Sequence, residues 1–368
     1  MLKSKIGTFE AIMLILTIVV THTILSLPRN LLITTKSATI INLIYVSIIA
    51  IIISYLICKL LRNFPSLDII DISETLGGKV FKNIIGIIFI VYFISSSSIL
   101  LRNFCECLKI IYYPMTDITF ILLMFVVAVC LANRLDFSAT LKTNLLVIPL
   151  VLFSMVFLFV ANTKNFSPQR IFPILGDGIF NTFVTGLGNI TAFAGIVYLY
   201  FIPPYLKEPQ KLKKIVLAST GISAIYLILC VSTILFMFSS FIIANEISSL
   251  YSATRYIEFG SFFQRLESVF LLIWILAFAS YLSIVLKFTM NIFKKVTNIK
   301  TKKPLIDIFG LLMFGIAMLP ENLAISEKFE NTIYPSLVIG IVFALGLSIL
   351  ILANIKHKKG LSNEKNIT

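Results

Sequence analysis

Charge is scarce in this sequence. Of 368 residues only 13% are Asp, Glu, Lys or Arg, whereas 58% are hydrophobic and the mean hydropathy is +0.99. Soluble domains carry about 25% charged and about 45–50% apolar residues, so a soluble enzyme is excluded. Histidine is scarcer still, with only His22 and His357. The five cysteines (Cys58, Cys105, Cys107, Cys130 and Cys230) fall inside or at the ends of apolar segments. Cys105 and Cys107, two apart, lie on different faces of a helix, which argues against metal-type spacing. They read as small packing residues. The sequence holds no Ser/His/Asp set, no phosphate loop and no paired carboxylates within its apolar runs. Catalysis, a cofactor and a resident metal therefore have nothing to rest on. It also lacks an internal repeat of about 20–50 residues, and any low-complexity tract beyond the short polar tail 361–368. One transmembrane domain covering 1–368 is the expectation.

What the sequence has is bilayer-length apolar runs, each of the roughly 20 residues that a helical span needs. Pro, Gly, Asn and charge clusters divide them into ten crossings near 9–34, 38–61, 84–112, 117–133, 144–162, 179–202, 215–243, 266–290, 304–320 and 333–354. The first has a basic start at Lys3 and Lys5, but its apolar stretch is long, lacks a small-x-small cleavage site and is followed by further spans. It reads as a retained helix. Lys and Arg number 31 against 17 acids, a formal charge of +14. In a soluble chain this balance points to nucleic acid. Here the basic residues concentrate in alternate linkers: Lys59, Arg62, Lys79 and Lys82; Arg134 and Lys142; residues 207–214; residues 294–303; and the tail after Ile355. The positive-inside rule then predicts both termini in the cytoplasm and no nucleic-acid partner. The linkers 207–214 and 294–303 also suit anionic lipid, at about 1 kcal/mol per juxtamembrane cation. Topology is the simpler reading.

Two crossings do not read as plain helices. Crossing one contains Thr21-His22-Thr23-Ile24-Leu25-Ser26-Leu27-Pro28, a polar cluster ahead of a proline that disfavours helix in the residue before it. Crossing six contains Gly186-Leu187-Gly188-Asn189-Ile190-Thr191-Ala192-Phe193-Ala194-Gly195. Backbone groups freed there need partners or a cavity. These crossings open two five-helix halves, which have opposite orientation because five is odd. Breaks at matching positions of inverted halves point to a ligand site near the bilayer midplane. Half-helix N-termini suit a carboxylate and unwound carbonyls suit an ammonium group or a cation, so an amino acid satisfies both ends. The plainer reading is that small residues let helices pack closely.

Among the other polar residues, Arg102 and Glu106 are four apart on one helix face and are expected to pair as a clamp, with a gating role as the alternative. His22 is the one histidine inside a crossing, suited to hydrogen bonding a ligand or to plain packing. Residues 245–263 mix Glu246, Arg255 and Glu258 with Tyr251, Tyr256, Phe259 and Phe262 and read as an amphipathic helix on the outer face. Glu267 is expected to pair with Arg265 or Arg255. Ser280 and Ser283 are expected to bond their own helix rather than hold a cation.

Several stretches taken together resemble the spore germination permease family, the B subunits of GerA-type nutrient germinant receptors. They are Thr23-Ile24-Leu25-Ser26-Leu27-Pro28-Arg29-Asn30-Leu31, Ile171-Phe172-Pro173-Ile174-Leu175-Gly176, Thr191-Ala192-Phe193-Ala194-Gly195, Tyr198-Leu199-Tyr200-Phe201-Ile202-Pro203-Pro204-Tyr205-Leu206-Lys207 and the run Arg255 to Ser268. The likeness covers nearly the whole chain. It implies the amino acid–polyamine–organocation superfamily and so an all-α integral membrane protein with ten transmembrane helices in a five-plus-five inverted repeat, helices one and six broken. It implies a B subunit in the spore inner membrane that binds a small germinant, commonly an amino acid, and signals to A and C subunits. The superfamily's Gly-x-Gly of helix one is replaced by Thr21 and Thr23 around His22, whereas Ala-Phe-x-Gly of helix six is kept as Ala192-Phe193-Ala194-Gly195. The expected site is therefore Thr21, His22, Thr23, Ile24, Thr191, Ala192, Phe193 and Gly195. An amino acid transporter with the same pocket, and a structural membrane subunit with a vestigial one, are the alternatives.

Overall fold

A computed structural model describes residues 5–135, 137–257, 266–299 and 303–365. Glu258, Phe259, Phe262 and Arg265, together with Lys3, Lys300 and Lys302, lie outside the described residues. Crossing one is α1 (Thr8–His22) and α2 (Leu27–Thr35), separated by the turn 23–26. Then follow α3 (Thr39–Leu61), α4 (Ile69–Tyr112), α5 (Ile118–Arg134) and α6 (Phe137–Ala161). The second half opens with the broken crossing six, the short α7 (Ile179–Phe183) leading into a 3₁₀ segment, Thr185–Tyr200. Next come α8 (Leu212–Met237), α9 (Ser240–Asn245), α10 (Ser249–Arg255), α11 (Leu266–Thr297) and α12 (Lys303–Ala317). Crossing ten is α13 (Leu323–Leu337), a π-helical stretch Val338–Leu345 and α14 (Gly346–Lys365). Among the described residues, seven helices are long and apolar enough to span a membrane, and three shorter apolar helices, Thr8–His22, Ile118–Arg134 and Pro304–Ala317, complete the ten crossings.

Local chemistry fixes where these helices start. The Asp68 carboxylate accepts the N–H groups of Ile70 and Asp71 at 3.1 Å each, and Asn322 caps α13 through the Ile325 N–H at 3.0 Å. Asp117 caps α5 through the Thr119 N–H at 2.7 Å, and its hydrogen bonding with Thr119 holds its carboxyl below the ordinary carboxylate pKa. Within α4, Gly77 and Gly78 leave helical geometry, with Gly78 at φ +71°. Only glycine adopts this without strain. The kink divides α4 into a short segment before it, the foot of the helix, and a long one after it.

Several boundaries differ from expectation, crossing five starting at Phe137 and the helix of crossing eight running on to Thr297 among them. Crossing seven ends at Met237, because the chain turns at Phe238 into α9. Crossing ten starts at Leu323, ahead of the expected 333, because Ser326, Glu330 and Tyr334 recur every fourth residue on a face that turns inward. Of the expected helix over 245–263, the described residues form the seven-residue α10, which ends at Arg255, and residues 258–263 lie outside the described residues.

Twelve consecutive residues of α1, Ala11 to His22, are buried. A helix apolar all round belongs at the centre of a bundle. The outer helices instead expose an apolar stripe, Ile44, Ile48, Ile52 and Tyr55 on α3 and Phe120, Met124, Val127 and Leu131 on α5. Such faces suit lipid. Gly195 packs against α1 so closely that a Cβ would stand 2.6 Å from the Ile15 carbonyl oxygen. The face where the described chain begins is tied as well: Ile6 N–H donates to the Tyr205 carbonyl at 2.7 Å and Lys207 N–H to the Ile6 carbonyl at 2.9 Å. The start of crossing one thus holds the Pro203–Pro204 end of crossing six.

Candidate ligand site

At each break the chain must satisfy the main-chain groups its helix gave up. In crossing one the freed Ile24 carbonyl accepts the Ser248 hydroxyl at 2.6 Å, from the residue that begins α10. In crossing six, Asn42 of α3 donates to the carbonyls of Thr182 and Gly186 at 2.7 and 3.0 Å and accepts from Asn189 at 2.7 Å. Gly186 is required there, since a Cβ would stand 2.3 Å from the Asn42 amide nitrogen. Phe193, at φ −94° and ψ 26°, marks the irregularity inside the 3₁₀ segment. Much of the unwound backbone is therefore occupied by the protein itself.

Both breaks border one cavity of about 460 Å³ between α2, the 3₁₀ segment and α13. That falls within the size range of small-molecule sites. His22 enters it from crossing one, Gly188, Asn189 and Thr191 from crossing six, and Glu330 and Tyr334 from α13. His22 contacts the rings of Tyr281 at 5.8 Å and Tyr334 at 5.3 Å between centroids, while its Nε2 has no hydrogen-bond partner. Glu330 accepts a hydrogen bond from Asn103 of α4. The Ser26 hydroxyl is buried beside the Glu330 carboxyl, and the Asn103 side-chain oxygen is buried without a partner.

Of the eight expected residues, His22 and Thr191 line this cavity. The hydroxyls of Thr21 and Thr23 bond back to the carbonyls of Thr17 and Val20 at 2.7 Å each, and Thr23 also meets the Tyr226 hydroxyl at 2.8 Å. They are thus engaged away from the chamber. Ile24, Ala192 and Phe193 are buried in the surrounding core, and Gly195 serves the contact with α1. Glu330 was not expected, because its charge places it outside a hydropathy-defined crossing. Its signal was the four-residue spacing with Ser326 and Tyr334 behind an Asn cap.

Around this chamber the bundle is tied by polar contacts. Arg29 of α2 pairs with Glu327 at 2.7 Å and donates to the Glu246 carbonyl at 3.1 Å, and Asn30 bonds Asn331 at 2.6 Å. The expected Arg102–Glu106 pair is present at 2.8 Å, and Arg102 also reaches the carbonyls of Ala317 and Glu321 at 3.2 Å each, beyond the end of α12. This is a clamp between crossings three and nine. Ser283 bonds its own helix at the Ala279 carbonyl, as expected, whereas Ser280 bonds Asn144, which also accepts from Thr17 of α1.

Broken first and sixth crossings around a shared cavity, in a ten-crossing bundle, define an integral membrane protein of the permease type with an inverted repeat. Its backbone matches a Na⁺-coupled sialic acid symporter in a substrate-bound outward-open state, with a TM-score of 0.66, 12% identity, and coverage of 93% of this chain and 80% of that one. It also matches Mhp1 in an inward-facing conformation, with a TM-score of 0.63, 11% identity and coverage of 95% and 76%. These likenesses speak to fold. The family model described as "Spore germination protein" matches residues 5–325, and the chain belongs to that family. Relatives include spore germination protein YndE of Bacillus subtilis (strain 168), 24% identical over 87% of this chain and 88% of the relative. Spore germination protein A2 of the same organism is 28% identical over 86% and 87%. The chain is thus a germinant-receptor or permease-like membrane protein, in a family not known for enzymes.

Proposed function

We propose that this protein is the B subunit of a spore nutrient germinant receptor. A small germinant, an amino acid, binds between the broken crossings and biases the bundle toward one of two arrangements, which A and C subunits in the spore inner membrane relay onward. The observation that carries this reading is the shared cavity: His22 from one break and Thr191 from the other line it together. A ligand held there contacts both halves of the repeat and shifts their equilibrium by as much as its affinity for the two arrangements differs. The alternation of basic linkers supports both termini in the cytoplasm, and membrane lipid completes the surroundings.

Gly188 provides the test. It lines the cavity, and a Cβ built on it meets nothing within 4 Å, so Gly188→Leu fills the chamber without a backbone clash. Spores carrying that variant, with subunit levels verified, are expected to lose their response to a particular nutrient. An unchanged dose response would favour the vestigial-pocket alternative. Accumulation of labelled amino acid in vesicles by the purified protein would favour a transporter.

A further inference from the structure

Glu330 is 5% exposed and borders the cavity, yet among the described residues no cation lies within ion-pair distance of it. The nearby Arg29 is committed to Glu327 and to the Glu246 carbonyl. One carboxylate oxygen of Glu330 accepts from Asn103. Ionisable groups inside a bilayer are expensive, pair with opposite charge and mark ligand or ion pathways. Independently of the acid, His22 is 5% exposed, lines the same cavity, and carries an Nε2 without a partner. The wall is thus built with one carboxyl group and one free imidazole nitrogen, while Ser248 and Asn42 have already taken carbonyls at the breaks. Carbonyls so engaged are weaker acceptors for a further donor. Glu330 is the strongest acceptor left.

We propose that Glu330 is the anionic anchor of the chamber, so that the ligand presents a protonated amine to its carboxylate while His22 meets the polar remainder of the molecule. This rests on the cavity being the ligand site and assigns the ammonium group to a side chain of crossing ten rather than to the unwound backbone. It also gives crossing ten a part in signalling. Glu330 and the outer tie through Glu327 lie within one turn of α13, so a cation drawn to Glu330 acts on the helix that holds α2.

The test uses the purified full-length protein in lipid nanodiscs. The twenty amino acids are screened by thermal shift, and the best binder is compared with its N-acetyl derivative, which lacks the cation. A Thr34→Cys reporter on the cavity wall, labelled with a maleimide against a wild-type background, reads occupancy of the chamber itself. Glu330→Gln keeps shape and removes charge, and Glu330→Asp keeps charge on a shorter stem. The expected result is that the amine ligand protects the reporter, N-acetylation abolishes binding, and Glu330→Gln weakens it about 10–100-fold with Glu330→Asp in between, the loss of one charge-assisted hydrogen bond. Protection that persists with unchanged affinity in Glu330→Gln, or an N-acetyl derivative that binds equally well, overturns the anchor and leaves the cavity standing. A wild-type protein that binds none of the twenty, or a binder that leaves the reporter unprotected, overturns the ligand site and the anchor with it. Monodispersity and melting temperature of each variant separate lost binding from lost folding.

Discussion

Two glycines of crossing six show how the same residue type serves opposite ends. At Gly195 a Cβ would press on the Ile15 backbone, while at Gly188 it points into empty space. Gly195→Ala is therefore expected to destabilise the protein by about 1–3 kcal/mol, since backbone cannot move aside as a side chain can; Gly188→Ala is expected to leave the melting temperature unchanged. Thermal unfolding of the two in one detergent checks both. The Arg102–Glu106 clamp makes a sharper case. Removing one partner strands a buried charge, so Arg102→Met is expected to cost about 3–5 kcal/mol, and the double variant Arg102→Met/Glu106→Leu to recover much of it. A double variant no more stable than the single one would show that the contacts to Ala317 and Glu321 matter more than the pair.

At its break, crossing six is satisfied by one side chain of a neighbouring helix, Asn42. Asn42 satisfies two carbonyls and one amide of that crossing, so Asn42→Leu leaves several buried polar groups without partners, at about 1–3 kcal/mol each. Hydrogen exchange is expected to speed up selectively over 179–190, with α5 and α12 unaffected. The irregularity itself was legible in the sequence, because three glycines and two polar residues within ten positions do not belong in a smooth apolar span. Its form was not. A sixteen-residue 3₁₀ segment is unusual, since such runs seldom exceed about four residues. Here the residues that meet it, Asn42 and Ile15, lie far away in the chain.

Across the whole molecule, ties close the bundle on both sides of the chamber. On one side Arg29 and Asn30 hold α2 to α13. On the other, Ile6 is bridged to Leu206, and Lys295 of α11 reaches Asp68 and Asp71 at the foot of α4, at 2.5 Å each. If ligand binding biases two arrangements, weakening one set of ties should open that side alone. Arg29→Gln is expected to raise maleimide labelling of a Thr34→Cys reporter severalfold while leaving the distance between spin labels on α4 and α11 near Lys295 unchanged. Equal labelling with and without Arg29 would mean that the ties between α2 and α13 do not guard the cavity.

The amino-acid sequence by itself determined that the chain lives in a bilayer, how many times it crosses, and which two crossings break. Each of these follows from local composition: apolar run length, and the clustering of Gly, Pro and polar residues that cannot propagate a helix. The Arg102–Glu106 pair was legible for the same reason, since four residues make one helical turn. Only the tertiary structure decided what the breaks leave for a ligand. Whether a hydroxyl, carbonyl or carboxylate is free depends on partners hundreds of residues away, Ser248 for Ile24 and Asn103 for Glu330. A hydrogen bond already satisfied leaves no trace in the local pattern, so Thr21 and Thr23 read as site residues though their hydroxyls are bonded to the carbonyls of Thr17 and Val20. Glu330 was hidden conversely: its charge marks it for water, and its burial comes from the inward turn of α13.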